Sequence, residues 1–228
     1  MYKNKKIFCI ILARKNSKGI KNKNIRKIKN KPLIWYPINA AKKSKYVDEI
    51  YFNSDCKKMS KYANKLGANV AFIRPAHLAK SNSSSFDVIK HHITKIDLYS
   101  KFNYFILLEP TSPLTTGKDI DQALKKLIDN KKTSSLLCIT NHSIPNKNYT
   151  CEVKNGRLKF LRKSISTHRQ AYDKNFFLTG NLYISRIDSY LKQKTFFQKQ
   201  TNFMKVNFLK SIEIDTITDL YLIKKIIK

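Results

Sequence analysis

The twelve residues from Ala13 to Asn24 carry Arg14, Lys15, Lys18, Lys21 and Lys23, together with Ser17, Gly19 and three asparagines, and no acid. Backbone N–H groups, a hydroxyl and several cations on one loop suit a polyanion such as a triphosphate, whose charges must be neutralised as it leaves water. The stretch is not a Walker loop, because it lacks both the first glycine and the Gly-Lys-Ser/Thr ending. The plainer reading is a lysine-rich surface loop; its place directly after a buried first strand favours phosphate. Asp and Glu number only fifteen, so each is informative. Glu213 and Asp215 lie two apart on a brief predicted strand begun at Ile212–Ile214, which puts both side chains on one face. Neighbouring carboxylates repel unless a cation lies between them, and Mg2+ takes few protein carboxylates while bridging substrate phosphates. Asp219, one helical turn on, could join them. On spacing alone an equal reading has Asp215 capping the last helix, with Glu213 in solvent.

Other candidates follow the predicted strands. Asn53-Ser54-Asp55 ends in an acid that reads as a helix N-cap. Glu109-Pro110-Thr111-Ser112-Pro113-Leu114 is a loop stiffened by two prolines, and its carboxylate and hydroxyls could bind a polyhydroxylated substrate. The five histidines show no metal spacing and read as structural.

The elements that must position these residues alternate strand and helix. Apolar runs predict strands at Ile7–Leu12, Glu49–Ser54, Val70–Ile73, Tyr104–Leu108 and Ser135–Thr140. Helices are predicted from Pro32 to Ser44, with Pro in the first turn, at Lys57–Leu66 ended by Gly67, at Ser83–Ile96 and at Asp119–Ile128. Such βαβ repetition predicts an α/β fold, a mostly parallel sheet covered on both sides, with ligands beyond the carboxyl ends of its strands. The rhythm breaks between residues 141 and 175, where Tyr149–Val153 and Arg157–Leu161 flank Asn155-Gly156, a strong hairpin pattern. Core-like pattern resumes at Gly180–Ser185 and Met204–Phe208, and Asp215–Ile227 closes as a helix. A single domain over 1–228 is expected, with an insert at 141–175.

Composition bounds the class. The chain has 228 residues, 46 Lys+Arg and a formal charge of +31. That balance invites a nucleic-acid reading, but 39 of the 46 cations are Lys, a strongly hydrated point charge rather than a bidentate recogniser. Solvated lysines are the preferred account, and a basic nucleic-acid-binding α/β protein stays as an alternative. Cys9, Cys56, Cys138 and Cys151 form no CxxC pair and read as reduced thiols, hence a cytoplasmic location. No apolar run approaches the ~20 residues of a transmembrane span.

Taken together, Ile11-Leu12-Ala13-Arg14, Ser17-Lys18-Gly19-Ile20, Lys23-Asn24-Ile25, Lys31-Pro32-Leu33-Ile34, Phe72-Ile73-Arg74-Pro75, Glu109–Leu114, Arg169-Gln170 and Ile214-Asp215-Thr216 resemble, in order and spacing, the N-acylneuraminate cytidylyltransferases. These are the CMP-sialic acid synthetases, a family that includes the legionaminic and pseudaminic acid cytidylyltransferases. The resemblance implies a three-layer, Rossmann-like nucleotidyltransferase fold and a Mg2+-dependent transfer of CMP from CTP to the anomeric hydroxyl of a nine-carbon 2-keto acid. It implies nucleotide contacts from Arg14, Ser17, Lys18, Lys23, Asn24, Arg74 and Ser83, with Arg14, Lys18 and Lys23 also catalytic. Glu109, Arg169, Gln170, Thr179 and Tyr183 would line the sugar side, Glu213 and Asp215 would hold the metal, and residues 141–175 would join a homodimer. Several positions depart from the family pattern: Lys15-Asn16 for Gly-Gly, Ser81 for Asp, Glu109 for Gln, Thr115 for Arg, Thr179 for Asn and Glu213 for Asp. Three of these fall on the sugar side, so the sugar stays open among N-acetylneuraminic, legionaminic and pseudaminic acids, with a Kdo-type eight-carbon acid as the alternative.

Overall fold

The computed structural model of this protein describes residues 1–17, 19–141, 151–154, 157–160 and 176–227. Its centre is β1 (Ile7–Leu12), a run without a charged residue that is buried along almost its whole length. Such a strand needs cover on both faces. It pairs in parallel with β4 (Glu49–Asn53) and with β5 (Tyr104–Leu108). Side chains alternate across it. Ile7, Cys9 and Ile11 meet α1 (Trp35–Lys42), α2 (Lys57–Lys65) and α5 (Gly117–Asp129) through residues such as Ile38, Met59 and Leu124. Phe8 and Ile10 face the other way, onto Ile89 and Ile93 of α3 (Ser85–Lys95) and Ile187 and Tyr190 of α6 (Ile187–Gln193).

Beyond β5 lie β9 (Phe176–Arg186), β6 (Ser135–Asn141) and β10 (Thr201–Lys205), giving the order β10-β6-β9-β5-β1-β4. β9 runs antiparallel to both neighbours, whereas β10 is parallel to β6, so the expected mostly parallel sheet is found with one reversed strand. In β9 the register jumps: Tyr183 faces Leu137, but Thr179 faces the next residue, Cys138. Gly180, Asn181 and Leu182 are thereby skipped in the ladder with β6, as in a bulge. A separate hairpin of β7 (Cys151–Lys154) and β8 (Arg157–Phe160) lies where alternating segments predicted one; its Asn155-Gly156 link lies outside the described residues.

Four expectations need correction. Pro32 does not open a helix: Lys31–Pro32 (β3) pairs antiparallel with Lys27–Ile28 (β2), and α1 begins only at Trp35. Lys29 and Asn30 both have positive φ, the two-residue turn that tightens such a hairpin. Val70–Ile73 is not a strand, because only Asn69 bridges Tyr51 and the chain then turns away to seat Arg74. Ile212–Ile214 is extended but unpaired as a strand; its one ladder-like bond runs from Ile214 N–H to the Thr111 carbonyl at 2.9 Å. The closing helix, α7 (Ile217–Ile226), starts after Asp215, on a Thr216/Asp219 capping box. The short α4 (Leu98–Lys101) was not legible in the pattern. No helix among the described residues is long and apolar enough to cross a membrane.

A third apolar cluster decides where the chemistry sits. Ile20 from the cationic loop, Ile28 and Leu33 pack against Ile214, Leu220 and Ile223. Ile20 and Ile214 are almost wholly inaccessible, and burying each such side chain contributes roughly 1.5–3 kcal/mol. This cluster draws the end of the chain onto the loop that follows β1.

Candidate active site

The cationic loop leaves β1 and is held open by backbone capture. Ala13 N–H donates to the Asn53 carbonyl, and Lys15 N–H donates to Asp55 Oδ1 at 2.7 Å. Asp55 is therefore a loop anchor and not the helix cap expected; Cys56 stands at the start of α2. Asn24, buried in a one-turn 3-10 helix at Lys23–Ile25, donates from Nδ2 to the Arg14 carbonyl at 3.0 Å. Asn22 enters that turn in the left-handed region, at φ 57. Gly19 lies so close to the Asp215 carbonyl that any Cβ would collide with it, so glycine is what lets loop and C-terminal segment touch.

Around this contact lies a cavity of about 390 Å3 at the carboxyl ends of β1, β4 and β5. Arg14, Ser17, Lys23, Asn24, Arg74, Ser83, Glu109 and Asp215 all line it. Lys80, Ser81, Ser85 and Thr111 line it too. Thr111 belongs to the proline-stiffened loop already singled out and Ser81 to the departures from the family pattern, whereas Lys80 and Ser85 carry no spacing or charge pattern that marks them as ligands in the sequence. Arg74 is buried against the end of β4, where burial, only partly opposed by Asp55, lowers its pKa to about 10. Ser83 donates to the His77 carbonyl at 2.9 Å. Lys18, Arg169 and Gln170 lie outside the described residues.

The carboxylates gather on the opposite wall. Lys23 Nζ donates to Asp215 Oδ1 at 2.9 Å and to the Ile214 carbonyl at 2.8 Å. Glu213 accepts from Gly180 N–H at 2.6 Å, in the bulge of β9, and a Cβ on Gly180 would strike that carboxylate. Burial raises the Glu213 pKa, and the Asp215 charge adds to it. Burial also pushes Glu109 up, to about 7, with Glu213 reinforcing the shift and a bond from Thr111 opposing it. Asp219, offered as a further ligand, is instead committed to the cap, accepting from Asp215 N–H and Thr216 N–H.

Tyr183 sits one step away, lining with Glu109, Phe86, Phe196 and Phe197 a second cavity of about 220 Å3. Burial, with Glu109 next, raises its phenol pKa. Thr179 lines neither cavity; it is buried, and its hydroxyl donates to Asn181 Oδ1. The Phe196-Phe197 pair was invisible beforehand, since two adjacent aromatics read as core.

Among the described residues no group of three His, Cys, Asp or Glu is arranged to hold a metal ion. A two-carboxylate Mg2+ site asks for less, because that ion keeps waters and takes substrate phosphate oxygens. Asp215 and Glu109 line the cavity and Glu213 does not, but all three carboxylates lie within reach of the Lys23 ammonium, which bonds Asp215. Hard carboxylate oxygens fit a small divalent cation, whose charge would favour the ionised forms that burial opposes at Glu109 and Glu213. A cationic loop and an acidic wall on either side of one cleft can hold a triphosphate and neutralise charge as it departs.

The profile of the family described as Cytidylyltransferase matches residues 8–228. Post-translational flagellin modification protein B of Campylobacter coli is 30% identical over 224 residues, covering 97% of this chain and 95% of its own. CMP-N,N'-diacetyllegionaminic acid synthase of Campylobacter jejuni is 29% identical, covering 97% and 94%. Among solved structures, a CMP:2-keto-3-deoxy-manno-octonic acid synthetase in complex with CTP superposes with a TM-score of 0.72 at 16% identity, over 97% of this chain and 98% of the other.

Proposed function

The chain belongs to the cytidylyltransferase family and is a nucleotidyltransferase, and we propose that it transfers CMP from CTP to the anomeric hydroxyl of a nonulosonic, sialic-type acid, releasing pyrophosphate. The observation that carries this reading is the shared cavity: the loop after β1 and Asp215 meet there although most of the chain separates them. In this reading Arg14, Lys23 and Arg74 hold the phosphates, and Asn24 and Ser83 meet the nucleoside. The anomeric oxygen bonds to the α-phosphorus while the bond to the bridging oxygen of pyrophosphate breaks. Arg14 and Lys23, with Lys18, offset the charge that grows on the leaving group. Glu109, its pKa pushed up to about 7, lines both cavities and in this reading would take the hydroxyl proton. Tyr183 would face the sugar, and the family resemblance assigns Arg169 and Gln170 to it as well, with Arg169 as partner of the sugar carboxylate. Asp215 and Glu213 would hold Mg2+, which when bound would help neutralise the charge of the triphosphate.

The name of the Campylobacter jejuni relative supports the nine-carbon acid class. The same reading has residues 141–175 as the insert of a homodimer, in the cytoplasm; sedimentation of the full chain as a dimer, lost when the insert is excised, tests that part. The substrate test is pyrophosphate release from CTP and Mg2+ across a panel of 2-keto sugar acids. Turnover with at least one nine-carbon acid is expected. Silence across the panel, or turnover confined to the eight-carbon acid, overturns the proposal.

A further inference from the structure

Beneath Arg74 runs a buried line of side chains to which the chemistry above gives no part. Arg74 Nε donates to Asn53 Oδ1 at 2.6 Å, and its Nη2 donates to the Asn53 carbonyl at 2.7 Å. The Asn53 amide nitrogen lies 3.0 Å from His92 Nδ1. Asn53 and His92 are fully inaccessible, and only the guanidinium end of the line reaches the cavity.

Donor and acceptor roles along this line follow from chemistry. A guanidinium only donates, so the amide oxygen of Asn53 must face Arg74. The amide nitrogen therefore faces His92, and Nδ1 must accept from it. The imidazole is thus neutral, with its proton on Nε2. Burial, helped by the charges of His91 and Arg74, lowers the His92 pKa to about 4, in keeping with that state. Tyr51 and Phe72 hold the ring between them, with centroids 5.4 Å and 5.1 Å away. Nε2 is buried and has no partner among the described residues, a cost that an apolar ring of similar size would avoid. What the histidine supplies against that cost is the acceptor Nδ1, which an apolar ring lacks.

We propose that His92 is a positioning residue for the nucleotide: by accepting from the Asn53 amide it fixes that amide's orientation, and the amide oxygen in turn aims Arg74 into the cavity. The inference rests on the CTP reading above and concerns affinity rather than chemistry, since Arg74 would hold substrate and transition state alike.

Calorimetric titration of the full chain with CTP, beside steady-state kinetics, tests it. His92→Phe keeps the ring and its packing but removes the acceptor, so CTP affinity should fall about tenfold, with KM following. The kcat at saturating CTP should stay within about twofold of the parent. Arg74→Met should weaken binding at least as much, and adding His92→Phe to it should change nothing further, because the histidine acts only through the arginine. An additive double variant, or His92→Phe binding CTP like the parent, overturns the inference and leaves the CTP reading standing. A parent that folds but does not bind CTP overturns both. If His92→Phe fails to fold, Asn53 decides the matter. Asn53→Asp still accepts from Arg74 and lets neutral His92 donate from Nδ1, so it should stay within about threefold of parent affinity, whereas Asn53→Leu should lose about tenfold. Equal losses from the two also overturn the inference.

Discussion

Lys23 and Asp215 stand 192 positions apart in the chain, yet the ammonium of one lies 2.9 Å from the carboxylate of the other. The lysine is 13% exposed and the aspartate 72%. An ion pair with so exposed a partner is worth at most about 1 kcal/mol, so the bond to the Ile214 carbonyl and burial of the stem do much of the holding. Lys23 is thus a cation kept at the cavity wall whose bond to Asp215 can be given up to a phosphate at little cost while the Ile214 contact stays.

Replacing Lys23 by Met should lower kcat by roughly 10^2–10^3, the usual loss when one preorganised donor to developing charge is removed. KM for CTP should rise far less. Pyrophosphate release over a CTP series separates the two, and a variant that loses only affinity would show that Lys23 holds the ground state instead.

The acidic wall should carry the metal dependence. The double change Glu213→Ala, Asp215→Ala should abolish Mg2+-dependent turnover while the circular dichroism spectrum stays that of the parent. Persisting turnover with an unchanged Mg2+ requirement would place the metal elsewhere. Glu213→Ala alone frees the Gly180 N–H it now satisfies, so a small loss of stability, about 1 kcal/mol, should accompany it.

Glu109 should set the acid limb of the pH profile. Its pKa is raised to about 7, so the base form fills in as pH climbs through 7, and kcat should rise over that range. Glu109→Gln should flatten this limb and cut the plateau rate about a hundredfold. The stability effect has the opposite slope. Between the unfolded carboxyl's usual value near 4.5 and about 7, the folded state holds a proton that the unfolded state has released, so stability falls as pH rises across that window. Glu109→Gln should therefore melt higher than the parent at pH 8, by on the order of 1–3 kcal/mol, and match it near pH 4. Identical melting curves at both pH values would mean that the carboxylate is not desolvated.

Gly19→Ala tests the seam between loop and C-terminal segment. A Cβ there collides with the Asp215 carbonyl, and forcing atoms into such a contact costs about 1–3 kcal/mol. The melting temperature should drop, and CTP affinity should drop with it because Arg14 and Asp215 no longer face each other across the same gap. Loss of stability without loss of affinity would show that the loop recovers its shape by moving alone.

Much of the fold is legible in the sequence. An uninterrupted apolar run from Ile7 to Leu12 has no face to give to water, so β1 had to be central. The stop at Gly67 is local chemistry and ended α2 as expected, whereas the Thr116/Asp119 capping box starts α5 at Gly117, two residues before the apolar pattern begins it. Eight candidate residues share one cavity for a related reason: strand-end loops of a parallel sheet collect on one side. Misreadings arose where a neighbour decides the outcome. Val70–Ile73 has strand composition but leaves the edge of β4 after the single Asn69–Tyr51 bridge, and Pro32 found a partner in Lys27 rather than a helix to begin.

The sequence by itself determined a doubly covered parallel core, a cationic turn at its first strand end and a pair of late carboxylates, because periodicity, capping and charge are written in near neighbours. Tertiary structure alone decided that β9 runs backwards and loops out Gly180 to hold Glu213, that Asp55 braces Lys15 rather than a helix, and that Lys23 finds Asp215. Those outcomes depend on contacts between residues tens to hundreds of positions apart, whose closure is set by how Ile20, Ile28 and Ile214 bury together and by no pattern within any one segment.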